Sequence, residues 1–217
     1  MEAVSLGADQ QQITTFLLPV QANNHPIYNP SLDYSVYLSQ PFFFVLFQVL
    51  ILLTTVYTVG IEIKFRTATD WLATAKGNMI TAVLGKLLPY TFIYILIGWL
   101  GNYVMFGILH IPFQGSWWLI NMITVLFVIA TQALGLFIFS LFPAVSLVIS
   151  VVSMVGSLGA TLSGVTFPVS NMYPLVRDAS YLFPVRHFTE MIQTMLYGGG
   201  GFIYLWPSMV ILCIFPL

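Results

Sequence analysis

The sequence predicts an all-α polytopic membrane protein with about five transmembrane helices, and three observations carry that fold class. Of 217 residues, 59% are hydrophobic and only 6% are charged, whereas a soluble domain carries about 25% charged residues. The apolar residues form continuous runs of about 20, the length that crosses a bilayer core as helix. Between Leu87 and Val176 there is no Asp, Glu, Lys or Arg at all. Such runs are too long and too uniform for the alternating segments, roughly ten residues each, of a membrane β-barrel. The net charge of −1 and the lack of a basic tract give no footing for nucleic acid. The single Cys213 excludes an internal disulfide framework and a cysteine-based metal cluster.

Residues 1–40 are polar and are read as the end of an extracytoplasmic polar domain. In "NNHPIYNPSLDYS" the His-Pro and Asn-Pro steps favour loop and strand over helix. The opening "MEAVSLGADQQQ" lacks the basic and apolar regions of a signal peptide. The transmembrane domain covers 41–217. Pro41 opens a first span, to about residue 60, with no charge in it. A charged loop follows at 61–78, then a second span at 79–109 that holds Lys86 and Pro89 near its start. The link "HIPFQGS" leads to a third span at 117–141, and Phe142-Pro143-Ala144 turns into a fourth at 145–167. Its "GSLGATLSG" cluster lets helices approach closely. A connector at 168–201 ends in four glycines, and a short fifth span occupies 202–217.

Four of the six Lys and Arg residues lie between Lys64 and Lys86. Basic residues collect on the cytoplasmic side, so the 61–78 loop is expected there and the 168–201 connector outside. Trp117, Trp118 and Trp206 then fall at outer ends, where interfacial aromatics belong.

The 61–78 loop holds the densest charge in the chain, with Glu62, Lys64, Arg66, Asp70 and Lys76. Thr67-Ala68-Thr69-Asp70 fits the start of a capped helix, with the Thr67 hydroxyl accepting from a backbone N–H and Asp70 reaching back. Gly77-Asn78 reads as the stop. A short amphipathic helix over 67–77 results, and Trp71 offers an aromatic anchor to a separate soluble protein. The alternative is a plain turn whose charges fix topology. Lys86 lies inside a span, so it is a functional candidate, though a lysine this close to the interface can snorkel to water. In the connector, Phe188, Met191, Ile192, Met195 and Leu196 recur at helical spacing, with Arg186, Glu190 and Gln193 off the stripe. That pattern predicts an interfacial helix over the outer end of the bundle, with Pro174 and Pro184 as helix starts.

"E-x-x-x-R-T-x-x-x-W-L-x-T" from Glu62, followed by "GKLLPY", is similar to the cytoplasmic loop of ABC-2 type transporter permeases. Glu62, Thr67, Leu72, Thr74, Gly85, Lys86 and Pro89 stand at matching positions, while Arg66 stands where Gly is usual and Ala75 where Pro is common. "YNP" at 28–30 and "SGVTFPVSNMYP…YLFPVRHFTE" resemble the outer segments of the same family. The resemblance implies a permease fragment lacking a first transmembrane helix and most of the outer domain. It implies that Glu62, Arg66, Thr67, Asp70, Trp71, Leu72 and Thr74 meet an ABC ATP-binding subunit. Phe167, Pro168, Pro184, His187 and Phe188 would belong to an outer gate. It further implies an inner-membrane exporter working as a homo- or heterodimer in membrane lipid, and leaves a periplasmic adaptor open. ATP and Mg would sit on the partner subunit, with no cofactor on this chain.

That division of labour agrees with the residues themselves. Gly85-Lys86 is followed by Leu87 rather than Ser or Thr, so no phosphate-binding loop is present. His25, His110 and His187 are too scattered to indicate a metal site. Two other classes stay open at this point. An ion- or proton-coupled carrier would need polar relays in place of mid-membrane charges. An intramembrane serine hydrolase could use Ser163 with His187, but Thr161 stands where its motif needs Gly.

Overall fold

The computed structural model describes residues 34–197 and 202–216. The polar segment before residue 34 and the glycine run 198–201 lie outside these. The described residues form helices and no strands: α1 (Tyr34–Lys64), α2 (Ala68–Thr74), α3 (Met79–Asn102), α4 (Trp117–Leu141), α5 (Val145–Leu162), α6 (Pro174–Ser180), α7 (Pro184–Tyr197) and α8 (Phe202–Ile214). A π-helical stretch, Tyr103–Ile108, extends α3, and a 3-10 turn, Val169–Asn171, precedes α6. Four segments are long and apolar enough to cross a membrane: Leu38–Lys64, Met79–Ile108, Trp117–Leu141 and Val145–Leu162. α8 is apolar but has 13 residues, about 20 Å at 1.5 Å per residue. The protein is a multi-pass integral membrane protein.

The second and third spans follow the sequence reading to within a residue, whereas the first runs on to Lys64 rather than residue 60, the fourth ends at Leu162 rather than 167, and α8 ends at Ile214. α1 begins at Tyr34, so Pro41 lies inside the helix rather than at its start. Proline is tolerated inside membrane helices, where neighbouring helices compensate for the lost hydrogen bond.

α1 and α4 form the centre of the bundle, each with 56% of its span buried, and α3 and α5 lie at the periphery with 17% and 22%. α5 runs antiparallel to α1 at close range. A Cβ on Gly159 would lie 2.6 Å from Gln48 Nε2, and one on Gly156 would lie 2.8 Å from Val49 Cγ2. The small residues of the fourth span therefore serve a contact within the chain. At the end of the bundle nearest residue 40, Asn102 donates to Thr124 Oγ1 (2.9 Å) and Asn121 Oδ1 (3.3 Å) and accepts from Gln40 Nε2 (3.3 Å). Three spans are joined through one buried amide.

Within the connector between α5 and α8, α6 and the loop before it are largely exposed, whereas α7 does not lie on the surface. Of the 14 residues of α7, ten are buried, and these include Arg186 and Thr189 as well as the expected apolar stripe. α6 and α7 form a re-entrant hairpin. At its tip Leu182 is exposed and Phe183 is buried, and both line a cavity with Phe137, Ile138 and Val155. Phe188 stacks on Phe44 (centroids 4.0 Å) and packs against Phe127 (4.8 Å). The first turn of a helix leaves backbone N–H groups without partners, and apolar surroundings supply none. Gln48 of α1 solves this: its Oε1 accepts from the Val185 N–H at 2.9 Å. The amphipathic period foretold one covered face, and contacts from α1, α4, α5 and α8 bury Arg186 and Thr189 as well, leaving Glu190 exposed.

Candidate functional site

The charged end of the bundle is built by two successive helix stops. At the end of α1, the Thr67 N–H donates to Glu62 O (2.9 Å) and the Arg66 N–H to Ile63 O (3.2 Å), with Arg66 at φ 60°. At the end of α2, the Gly77 N–H donates to Leu72 O (2.9 Å) and the Lys76 N–H to Ala73 O (3.0 Å), with Lys76 at φ 53°. Both are Schellman closures, in which a left-handed residue lets the chain turn back on the last carbonyls. Each left-handed place is held by a cation where glycine would be unstrained. Asn78, expected at the stop of α2, instead starts α3: its Oδ1 accepts from the Thr81 N–H at 3.1 Å.

The capping box expected at Thr67 does not form, since Thr67 makes no side-chain cap bond to α2. Its hydroxyl donates to the Glu62 carboxylate instead. The other oxygen of Glu62 pairs with Lys86 Nζ, and that ammonium also lies 5.2 Å from the centre of the Trp71 ring. Lys86 therefore turns to a partner on α1 rather than snorkelling to water, because Glu62 offers a charge-assisted bond within reach. Lys86 was outside the sequence-based contact set. Its signal was present nonetheless, as the one charged residue inside α3, opposite in sign to Glu62 at the same end.

α2 sorts its side chains by face. Ala68, Trp71, Leu72 and Ala75 are half-buried, and Trp71, Leu72 and Ala68 line a cavity with Val59, Val83 and Phe139. Thr69, Asp70, Ala73 and Thr74 are exposed. Trp71, expected from the sequence as an anchor offered to a partner, turns toward the bundle and seats the helix. Glu62, Thr67 and Trp71 are thus brought together by Lys86, with Leu72 beside Trp71, while Arg66, Asp70 and Thr74 point outward.

At the far end the five expected gate residues differ in exposure. Pro184, His187 and Phe188 are buried, whereas Phe167 and Pro168 are exposed on the loop after α5. His187 Nε2 donates to Tyr181 O at 3.0 Å. Burial, the largest influence, holds its pKa below the ordinary histidine value, and the bond to Tyr181 acts in the other direction. Ser163 Oγ donates to Ala160 O (2.7 Å) and accepts from the Val165 N–H (3.3 Å). Ser163 and His187 each bond to nearby backbone rather than to one another, and His187 Nδ1 is buried with no partner among the described residues.

Comparison with known proteins now bears on this arrangement. The profile of the family described as "ABC-2 family transporter protein" matches residues 2–217. The chain is similar to "Probable multidrug ABC transporter permease YbhS" of Escherichia coli (strain K12), 29% identical over 122 residues, 54% of this chain and 32% of that protein. It is similar also to "Inner membrane transport permease YhhJ" of the same organism, 30% identical over 109 residues, 49% of this chain and 28% of that protein. The matched part spans about a third of the length of these curated relatives. No solved structure matches the chain. With a bundle of apolar spans, a charged corner between the first two and a profile match along nearly its entire length, the chain belongs to the ABC-2 transporter family.

Proposed function

We propose that this chain is the membrane-spanning permease subunit, or part of it, of an ATP-driven exporter in the cell (inner) membrane. It carries a hydrophobic or amphipathic cargo, drug- or lipid-like, out of the cytoplasm. The charged end faces the cytoplasm, where the exposed face of α2 docks on an ABC ATP-binding subunit that holds ATP and Mg. A second permease copy, or a related chain, completes the path. The observation that carries this reading is the build of the corner. A seven-residue helix is tied at one end to α1 through Glu62 and Thr67, and beneath Trp71 to α3 through Lys86. Force applied to its outer face therefore reaches two spans at once, and rigid tilting of those spans opens the far end.

The test uses the full-length permease in native membranes. With Cys213 replaced by Ser, an Asp70→Cys variant is expected to crosslink to an ATP-hydrolysing polypeptide. Ala73→Pro, which breaks α2, is expected to abolish transport-coupled ATPase activity while membrane insertion stays normal. A crosslinking pattern with no such polypeptide, together with unchanged coupling in Ala73→Pro, would overturn the proposal.

A further inference from the structure

Between the loop after α5 and the polar side of α7 lies a cavity of about 320 Å³, lined by Gly164, Pro168, Arg186, Glu190, Gln193 and Thr194. Its size lies at the lower end of small-molecule pockets, roughly 300–1,000 Å³. Arg186 is 5% exposed. A buried guanidinium is costly unless its donors are met. Nη1 is 3.3 Å from Glu190 Oε2, and the Tyr181 ring lies 5.8 Å from the guanidinium carbon. Nε is buried and has no acceptor among the described residues. Glu190 is half-exposed, and its Oε2 also accepts from Ser208 at 3.1 Å. The cavity therefore has a cation with an unmet donor in its wall and a carboxylate reaching solvent. A simple anion is attracted by Arg186 and repelled by Glu190, and a simple cation meets the reverse. A small zwitterion, with an acceptor for Arg186 and an ammonium for Glu190, satisfies both.

We propose that this cavity binds a zwitterionic phosphoamine group, its phosphate on Arg186 and its ammonium on Glu190. Two sources offer that chemistry, the headgroup of phosphatidylethanolamine and free phosphoethanolamine. Phe167, half-exposed beside Pro168, gives the rim an apolar edge that acyl chains can follow. The site shares Pro168 with the expected outer gate but involves no residue of α2 or the charged end, so its test does not depend on docking there.

The experiment offers the full-length protein in micelles phosphatidylethanolamine, phosphatidylglycerol or free phosphoethanolamine, with bound ligand read by native mass spectrometry and thermal unfolding. Phosphatidylethanolamine is expected to be retained over phosphatidylglycerol by roughly tenfold or more, the worth of one charge-assisted bond. Glu190→Gln should remove that preference, and Arg186→Gln should weaken retention of both lipids. Should Arg186→Gln fail to fold, Glu190→Gln decides alone, because that side chain is half-exposed. Stabilisation by free phosphoethanolamine assigns the soluble source, and retention of the lipid alone assigns the headgroup. Equal retention of the two lipids with no effect of free phosphoethanolamine means that water fills the cavity and overturns the proposal. A preference that survives in Glu190→Gln overturns it equally.

Discussion

The two ends of the bundle hold their non-spanning helices by opposite means. α2, at the charged end, is fixed by hydrogen bonds between residues at most five apart, by the Glu62–Lys86 pair beside it and by Trp71 seated against the bundle, and half of it faces solvent. α7, at the far end, is fixed by ring stacking onto α1 and α4 and by the Gln48–Val185 bond, which joins residues 137 apart in sequence. Local closures set the orientation of α2 and leave a polar face free to meet another surface. Long-range packing sets α7, which is a core element of the bundle in all but its connectivity. The first arrangement suits a helix that receives a load. The second suits one that must move with the spans around it.

The largest test of this contrast is Phe188→Ala. Removing a fully buried ring from the Phe44–Phe127 cluster costs about 3–5 kcal/mol, seen as a lower thermal midpoint of the purified protein. Hydrogen exchange should rise in α6 and α7 and stay unchanged in α2. Next is the Glu62–Lys86 pair. A cycle of Glu62→Gln, Lys86→Met and the double variant should give a coupling of about 1 kcal/mol, because both side chains keep some exposure; a value near zero would deny the corner its strut. The two closures come third. Arg66→Gly and Lys76→Gly each relieve a left-handed backbone at a residue with a Cβ, and each should stabilise the corner by up to about 1 kcal/mol. Destabilisation by either would break the account of these turns.

Acidification gives the smallest effect and separates the ends by pH. Burial lowers the pKa of His187 in the folded protein, so the unfolded chain binds the proton more readily. Stability of the α6–α7 hairpin is then full above the unfolded value, about 6.5, and falls as pH drops below it. The loss at about pH 6 should reach at most about 0.8 kcal/mol, read by hydrogen exchange in α7. His187→Asn should flatten that slope.

The spans were legible because hydrophobic length alone specifies them. The third span runs over Trp117–Leu141 in both readings, and the second differs at one end by a residue. The existence of α2 was legible too, from its charge and from Thr67, although Thr67 acts on Glu62 rather than on the helix start. Arg66, singled out in the sequence for standing where the resemblance expects glycine, has a backbone at φ 60°, which glycine adopts without strain. Two things could not be read. Trp71 faces inward because Lys86, 15 residues on, places its charge over the ring. The burial of α7 depends on Gln48, Phe44 and Phe127, which no periodicity within α7 reveals.

The two left-handed cations carry one more consequence. Arg66 and Lys76 are half of the four basic residues that would tell the insertion machinery which side of the chain to retain. Glycine would relax both turns and would also erase that topogenic signal down to Lys64 and Lys86. Turn comfort and correct threading thus compete for the same two positions, and a variant optimised for the first would be the one most prone to insert upside down.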